Sequence, residues 1–279
     1  MENNTEQYWS MTEGVFNCLI DTKRSIAFKK AIQKTVKVGD VVVDMGTGSG
    51  ILAMFAAKAG AKKVYAVEID KNNIITLNKT FQENNLSDKI EVIEGDITKV
   101  KIPEKVDVVM GEMIATALIE ELQVFAMNNV LKYAKKSCKV LLNKYETLVD
   151  LVDNPEAYYG YNFKILRYEY PELKELHSKS YSTKVSLDTC DFSKQRKSLL
   201  IDKKISIKVN KAGTINGIRL SGETTFSDGS KLGPTFAYSY PIILPIDTTV
   251  VSRGDSFLLS IKYRLCGGLH NLKYSLKKV

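Results

Sequence analysis

A glycine-rich turn inside residues 41–60, VVVDMGTGSGILAMFAAKAG, narrows the possible folds more than any other part of the chain. An apolar run typical of a buried strand leads into the turn, and a helical pattern leads out of it. Gly46, Gly48 and Gly50 alternate with other residues. Ile51 stands where a dinucleotide loop, G-x-G-x-x-G, and a P-loop, G-x-x-x-x-G-K-[ST], each need a glycine, so neither pattern fits. The turn predicts instead a ligand that backbone amides and a helix N-terminus approach closely.

Strand and helix patterns alternate through the first half of the chain, from about residue 24 to residue 143. The strand patterns are DVVVDMG, KVYAVEID, KIEVIEGD, VDVVMGEM and KVLLNKY, and the helical patterns are SGILAMFAAKAG, KNNIITLNKTFQENNL and TALIEELQVFAMNNVLKYA. Strands separated by helices of this length imply right-handed crossovers in a mostly parallel sheet with helices on both faces. We therefore predict an α/β, Rossmann-like domain over residues 1–148.

A different pattern follows after about residue 150. Apolar and polar residues alternate with a period of two between Gly and Asp-Gly turn signals, as in KKISIKVNKAGTINGIRLSGETTFSDGSKLG. This alternation predicts antiparallel strands. We expect a second, β-rich domain over residues 149–279, with a barrel-like or sandwich-like fold.

Cysteine and histidine usage argues against several classes of site. The chain has two histidines and four cysteines, and the cysteines form no C-x-x-C pair. We therefore expect no metal site, no disulfide framework and no Ser-His-Asp hydrolase. No apolar stretch reaches the ~18 residues that span a bilayer, and no signal peptide is visible. The expected location is the cytoplasm, without a membrane partner.

The net charge of +8 comes entirely from the second half of the chain. Residues 151–279 contain 20 Lys and Arg against 12 Asp and Glu, whereas residues 1–150 contain 20 of each kind. A basic half can attract nucleic acid or an acidic substrate. Because the sequence has no dense basic cluster interleaved with aromatic residues, a lysine-rich solvated surface is the favoured interpretation. Nucleic acid stays open as a less favoured partner.

The glycine turn resembles the first motif of class I S-adenosylmethionine-dependent methyltransferases, and acidic residues that match that fold follow the next two strands. The resemblance implies S-adenosylmethionine as cofactor and S-adenosylhomocysteine as product, with Glu68 on the ribose hydroxyls and Asp96 near the adenine. A carboxylate that accepts two vicinal hydroxyl protons makes a charge-assisted pair. The predicted cofactor-binding residues are Arg24, Asp44, Gly46, Thr47, Gly48, Gly50, Ile51, Glu68, Ile69, Asp96, Ile97 and Glu112.

A longer stretch, GSGILAMFAAKAGAKKVYAVE, resembles the protein arginine methyltransferases, and the resemblance extends from about residue 9 to residue 279. LIDTKR matches that family's D-x-x-R segment, which implies that Arg24 pairs with the cofactor's carboxylate. VDVVMGEMIATALIEELQ is similar to the family's double-glutamate loop, with Glu112 and Glu121 nine residues apart. The resemblance implies that these glutamates are the catalytic pair that holds a cationic acceptor. Tyr8 and Trp9 are expected on an N-terminal helical lid over the cofactor.

Four departures from that family concern the acceptor, the cofactor and dimerisation. Residues 113–116, Met-Ile-Ala-Thr, replace Trp-Met-Gly-Tyr after the first glutamate, and residues 236–238, Phe-Ala-Tyr, replace the Thr-His-Trp segment of the barrel. Val15 stands where the family has a cofactor-contacting histidine. The chain is also shorter around residues 165–190, where the family inserts its dimerisation arm, so both a monomer and a homodimer are open.

The sequence therefore predicts an S-adenosylmethionine-dependent N-methyltransferase. Its expected acceptor is a cationic side chain, arginine, ornithine or a similar amine, of a protein or peptide. A methyltransferase that acts on a small molecule or RNA is one alternative, and a non-catalytic binding module is another. GEMI, residues 111–114, stands where methyltransferases of exocyclic base amines carry an N-P-P-[YF]-type loop, which disfavours nucleic-acid bases.

Overall fold

Two helices precede the first strand of the chain. The computed structural model describes residues 12–279, so the predicted lid residues Tyr8 and Trp9 lie outside the described residues. Helix α1 covers Thr12–Ile20 and helix α2 covers Thr22–Thr35. Asp21 separates them and caps α2, because its carboxylate accepts a hydrogen bond from the backbone nitrogen of Arg24 at 3.0 Å. The cap fixes the first turn of α2.

A five-stranded parallel sheet follows, in the order β3-β2-β1-β4-β5. Its strands are β1 Val41–Met45, β2 Lys63–Glu68, β3 Ile90–Glu94, β4 Val106–Gly111 and β5 Ala134–Val140, and its helices are α3 Ile51–Lys58, α4 Lys71–Glu83 and α5 Gln123–Val130. Every residue of β1 is buried, as its apolar run predicts. The strand order reverses between β1 and β4, and open α/β sheets bind ligands at the carboxyl ends of strands at such a point.

The helix predicted over residues 116–134 is wrong in its first part. The structure has a 3-10 turn at Thr116–Leu118, then α5, then a 3-10 turn at Leu131–Tyr133. Ala117 and Leu118 have positive φ angles of 60° and 52°. The backbone nitrogens of Cys266 and Gly268 donate to the carbonyls of Leu118 and Ile119 at 2.8 Å each. These long-range hydrogen bonds replace the helical ones that the local apolar pattern favours.

Antiparallel strands form the second half, as the alternating pattern predicts. A seven-stranded sheet contains the path β10-β6-β13-β15-β9, with β11 on β6 and β14 on β13, and β12-β16-β17 form a separate sheet. The strands are β6 Leu142–Asp153, β7 Ala157–Tyr158, β8 Tyr161–Asn162, β9 Arg167–Tyr168, β10 Lys179–Ser180, β11 Val185–Asp191, β12 Leu200–Lys208, β13 Gly213–Phe226, β14 Lys231–Leu232, β15 Ile242–Val251, β16 Ser256–Arg264 and β17 Lys273–Lys278. Further 3-10 turns lie at Lys174–Leu176 and Leu269–Asn271.

The passage between the two halves is continuous. The predicted strand KVLLNKY is divided between the end of β5 and the start of β6, and the backbone nitrogen of Leu141 donates to the carbonyl of Val109 between them. A domain division at residues 148/149 stays a prediction, and that position lies inside β6. Among the described residues, no helix is long and apolar enough to cross a bilayer.

Aromatic packing joins α2 to the second half. The ring of Phe28, on α2, lies 5.1 Å from the ring of Phe226 and 6.5 Å from that of Tyr238, edge-on in both cases. Phe28 is fully buried. Edge-to-face pairs of this kind add to the free energy gained by burying apolar area. Phe28 therefore links the N-terminal helices to the antiparallel sheet through one shared core.

Replacing Phe28 tests this link. We expect Phe28→Ala to lower the free energy of unfolding by about 3–5 kcal/mol, because it removes a buried ring and leaves a cavity between the halves. Urea unfolding followed by circular dichroism measures the loss. Ile26→Ala is the matched control on the same helix, because Ile26 is 46% exposed. A Phe28→Ala loss no larger than that of the control would contradict the shared core.

Candidate functional site

Three glycines form the turn after β1, and each has a backbone conformation that favours glycine. Gly46, Gly48 and Gly50 have φ angles of 61°, 56° and 77°, which L side chains rarely adopt. A Cβ atom at Gly46 would lie 2.9 Å from the sulfur of Met113, and one at Gly50 would lie 2.6 Å from the Phe81 ring. Gly50 therefore serves the packing of α3 on α4, whereas Gly46 and Gly48 leave backbone open to a cavity.

Acidic side chains stand at the carboxyl ends of the strands beside this turn. Glu68 accepts hydrogen bonds from the backbone nitrogens of Ile69 and Asp70, at 2.9 and 3.0 Å, and of Gly48, at 2.9 Å. These bonds hold the Glu68 carboxylate against the glycine turn. Asp96 accepts from the backbone and hydroxyl of Thr98 at 2.9 and 2.7 Å. Both carboxylates line the cavity.

Asp44 lies behind the turn rather than on the cavity wall. Its Oδ2 accepts a hydrogen bond from the hydroxyl of Thr47 at 2.6 Å, and Thr47 itself lines the cavity. Burial raises the pKa of Asp44 to about 6, against the opposing effect of that hydrogen bond. Asp44 is therefore placed to hold Thr47, and a direct contact of Asp44 with a ligand stays a prediction.

A buried ion pair connects α2 to the end of β4. The Nε and Nη2 atoms of Arg24 donate to Oε2 of Glu112 at 3.0 and 2.6 Å, and both side chains are 5% exposed. Nη1 of Arg24 donates to the carbonyl of Cys18 at 3.2 Å, and its guanidinium carbon lies 5.0 Å from the centre of the Phe28 ring. Oε1 of Glu112 accepts from the backbone nitrogen of Ile114 at 2.7 Å. The chain itself thus holds both oxygens of Glu112.

Glu121 lies close to Glu112 but has a different environment. No hydrogen bond or ion pair of Glu121 is formed within the described part of the chain, whereas its neighbour Glu120 accepts from the hydroxyl of Tyr168. Desolvation, together with the negative charges of Glu112 and Glu120, raises the pKa of Glu121 to about 8. Two neighbouring carboxyl groups with separate environments are a common arrangement in active sites.

The second half closes the site through residues 235–240, which include the place of the family's Thr-His-Trp segment. Asp21 accepts hydrogen bonds from the hydroxyl of Thr235 and from the backbone nitrogen of Ala237, the latter at 2.8 Å. The hydroxyl of Thr116 donates to the carbonyl of Tyr240 at 2.5 Å. Ala237 and Tyr240 line the cavity. Backbone and hydroxyl groups of residues 235–240 thus connect this part of the second half to Asp21 and Thr116 beside the cavity.

One cavity of about 1200 Å³ brings most of the predicted site residues together. Asp44 and Gly50 are the two that do not line it. The eleven that do are Arg24, Gly46, Thr47, Gly48, Ile51, Glu68, Ile69, Asp96, Ile97, Glu112 and Glu121. The cavity exceeds the common range of small-molecule pockets, about 300–1,000 Å³, so it has room for a cofactor and part of an acceptor.

Sequence reasoning missed several residues of the cavity wall. Asn129 donates to the carbonyls of Ile97 and Val100 at 2.9 Å each and so holds the turn after β3. Asn128 exchanges hydrogen bonds with the backbone of Arg196, and residues 195–197 and 199 bring the second half to the same wall. The one available signal was the polar Asn-Asn pair inside the otherwise apolar pattern of α5.

These residues fit S-adenosylmethionine. The glycines that line the cavity carry no side chain to block a close approach, and a Cβ at Gly46 would meet Met113. The carboxylates at two strand ends can accept hydrogen bonds from hydroxyl and amine groups, and a guanidinium can donate hydrogen bonds to a carboxylate. Within the described residues, no group of His, Cys, Asp and Glu side chains is arranged to hold a metal ion.

Comparison with known proteins supports this interpretation. The family model described as ribosomal protein L11 methyltransferase (PrmA) matches residues 22–138. The uncharacterized protein MJ1452 of Methanocaldococcus jannaschii is 32% identical over 263 residues, which cover 94% of this chain and 95% of that protein. The histone-arginine methyltransferase CARMER of Drosophila persimilis is 29% identical over 255 residues. This match covers 81% of the chain, and the chain spans about half the length of CARMER, 47%.

A solved structure confirms the fold. The Trypanosoma brucei PRMT1 enzyme-prozyme heterotetrameric complex with AdoHcy contains a chain that aligns with a TM-score of 0.78 at 16% identity. The alignment covers 97% of this chain and 98% of that one. The Rossmann-like parallel sheet followed by antiparallel sheets is therefore the arrangement of a known methyltransferase architecture. The chain is a class I S-adenosylmethionine-dependent methyltransferase that resembles the protein arginine methyltransferases, and it belongs to the same family as MJ1452 of M. jannaschii.

Proposed function

We propose that this enzyme methylates a nitrogen of a cationic side chain, arginine, ornithine or a similar amine, in a protein or peptide. The observation that carries the proposal is the pair of carboxyl groups, Glu112 and Glu121, on one wall of the cavity next to Arg24. The histone-arginine methyltransferase activity in the name of the Drosophila relative supports it. A monomer or a homodimer is the proposed assembly.

The cofactor would lie against the glycine turn. Gly46 and Gly48 would admit its methionine part, Glu68 would accept hydrogen bonds from the ribose hydroxyls, and Asp96 would hold the adenine. Thr47, Ile51, Ile69 and Ile97 line the same cavity. Arg24 would hold the cofactor's carboxylate while it keeps Glu112 in place. The sulfonium of the cofactor supplies an electrophilic methyl group. Residues of the chain must bind and orient the acceptor and remove its proton.

The two carboxyl groups divide the work on the acceptor. Glu112 orients the cationic group, because three hydrogen bonds fix the position of its carboxylate. Within the part of the chain that the structure describes, Glu121 forms no ion pair, so an entering cation is attracted to it and favours its ionised form. When the acceptor is an ammonium, Glu121 accepts the proton whose loss exposes the nitrogen lone pair.

Glu68 tests the cofactor site. We expect Glu68→Gln to weaken the binding of S-adenosylhomocysteine about 10- to 100-fold, because hydrogen bonds to a charged acceptor contribute about 1.5–3 kcal/mol. Isothermal calorimetry measures the dissociation constant. Glu94→Gln is the matched control, since Glu94 pairs with Glu68 in the neighbouring strand but does not line the cavity. An unchanged dissociation constant for Glu68→Gln would remove Glu68 from the cofactor site.

Glu121 tests the acceptor site. We expect Glu121→Gln to keep its affinity for S-adenosylhomocysteine and to lower turnover about 100-fold or more, because charge that acts in the transition state is lost. Isotopic methyl transfer is measured on arginine-rich peptides, on lysine- and ornithine-bearing peptides and on RNA. Glu83→Gln, at the exposed end of α4, is the control. Transfer to RNA alone, or full turnover in Glu121→Gln, would contradict the proposal.

Glu121 also sets a pH dependence of stability. Its pKa in the folded chain, about 8, lies above the ordinary value of 4.5, so the folded state binds this proton more tightly than the unfolded state. The resulting stabilisation is full below pH 4.5 and is lost as the pH rises through about 8. Urea unfolding from about pH 5 to pH 9 should therefore show Glu121→Gln gaining stability relative to the wild type. For Glu83→Gln we expect a stability difference from the wild type that does not change with pH. The same result for Glu121→Gln would contradict the raised pKa of Glu121.

A further inference from the structure

One face of the β12-β16-β17 sheet carries a concentration of positive charge. Side chains alternate between the two faces of a strand, and the strand register places the members of this face side by side. The opposite face packs into the core through residues such as Ile207, Leu259 and Ile261. The charged members of the exposed face, here called the basic face, are Asp202, Lys204, Lys208, Lys262, Arg264, Lys273 and Lys277.

The basic face is strongly unbalanced in charge. It has six cations and one carboxylate, so it carries more than half of the chain's net charge of +8. Asp202 pairs with Lys262 at 2.8 Å. The other five cations form no ion pair with any residue that the structure describes. Serines at positions 206, 256, 260 and 275 lie between them and add hydroxyl donors.

The spacing of the cations requires an extended anion. Lys204 and Lys208 stand about 13 Å apart along β12, as do Lys273 and Lys277 along β17, at about 3.4 Å per residue. One strand separates β12 from β17, which places the two rows about 10 Å apart. A small anion reaches one or two of these side chains. A nucleic-acid duplex, with one charge per about 1.7 Å of its axis, reaches all of them.

The side chains of the basic face do not suit the unstacked bases of single-stranded nucleic acid. Proteins that bind single strands stack bases on aromatic side chains. Within the described strands, no aromatic residue stands on the basic face, because Tyr263 and Tyr274 belong to the opposite side. The contacts available are therefore to phosphates, and a duplex presents its phosphates without giving up base stacking.

We infer that the basic face binds the phosphate backbone of duplex nucleic acid without reading its sequence. The face begins at the rim of the active-site cavity, because Lys197 and Leu199 line the cavity and Leu200 opens β12. A bound duplex thus lies beside the opening through which an acceptor enters. The inference goes beyond the proposed function and does not depend on it.

Salt-dependent binding tests the inference. The binding of fluorescein-labelled 20-base-pair duplexes of RNA and DNA is measured by anisotropy over a series of salt concentrations. The test variant combines Lys204→Gln, Lys208→Gln, Lys273→Gln and Lys277→Gln. The control removes the same charge from the first half through Lys30→Gln, Lys58→Gln, Lys79→Gln and Lys101→Gln, four exposed lysines without ion pairs in the described chain. Calorimetry with S-adenosylhomocysteine checks that both variants are folded.

We expect the wild type and the control to bind duplex with a similar salt dependence. The slope of log K against log salt should become shallower by about 3 to 4 in the test variant, since each phosphate contact contributes about 0.9. Equal affinities for RNA and DNA duplexes would support recognition of the phosphate backbone. A higher affinity for one of them would identify the nucleic acid that supplies the phosphates. Equal losses in both variants would overturn the assignment to this face. Tighter binding of single strands or of polyglutamate would overturn the assignment to a duplex.

Discussion

The buried ion pair of Arg24 and Glu112 is the interaction on which the site depends. It joins the first turn of α2 to the end of β4, and both partners are nearly inaccessible to water. A buried charge pair is tolerated when further hydrogen bonds satisfy its polar atoms, and here Cys18 and Ile114 supply them. Within the described residues Glu112 has an ion-pair partner and Glu121 forms no ion pair, so the two carboxyl groups have different environments although both line one cavity. Desolvation and neighbouring negative charge raise the pKa of Glu121.

The parallel sheet and the edge that carries the candidate site could be predicted because their signals are local. The apolar run of β1, the three glycines after it and the acids that end the next two strands occur in sequence order. Parallel strands separated by helices bring their carboxyl ends to one edge, so the order along the chain becomes proximity in space. Eleven of the thirteen predicted site residues accordingly line one cavity.

The remaining features depend on contacts between distant parts of the chain. The break at Thr116–Leu118 follows from amides near residue 266, and nothing in the local apolar pattern reports them. The local sequence likewise does not predict that residues 195–197 and 199 line the cavity. Nor does it predict the register of β12 with β16, some of whose partners lie 64 residues apart. Alternating lysines in β12 were legible in the sequence, but their alignment with those of β17 was not.

The carboxylate of Asp21 has a mechanical consequence. It holds the first turn of α2 with one oxygen, and with the other it holds residues 235–237 of the second half. Any swing of the antiparallel half away from α2 must break the second set of bonds and leave the first turn anchored from one side only. The carboxylate that caps the helix carrying Arg24 is therefore also a joint between the two halves of the chain, so their relative position and the first turn of α2 are mechanically coupled.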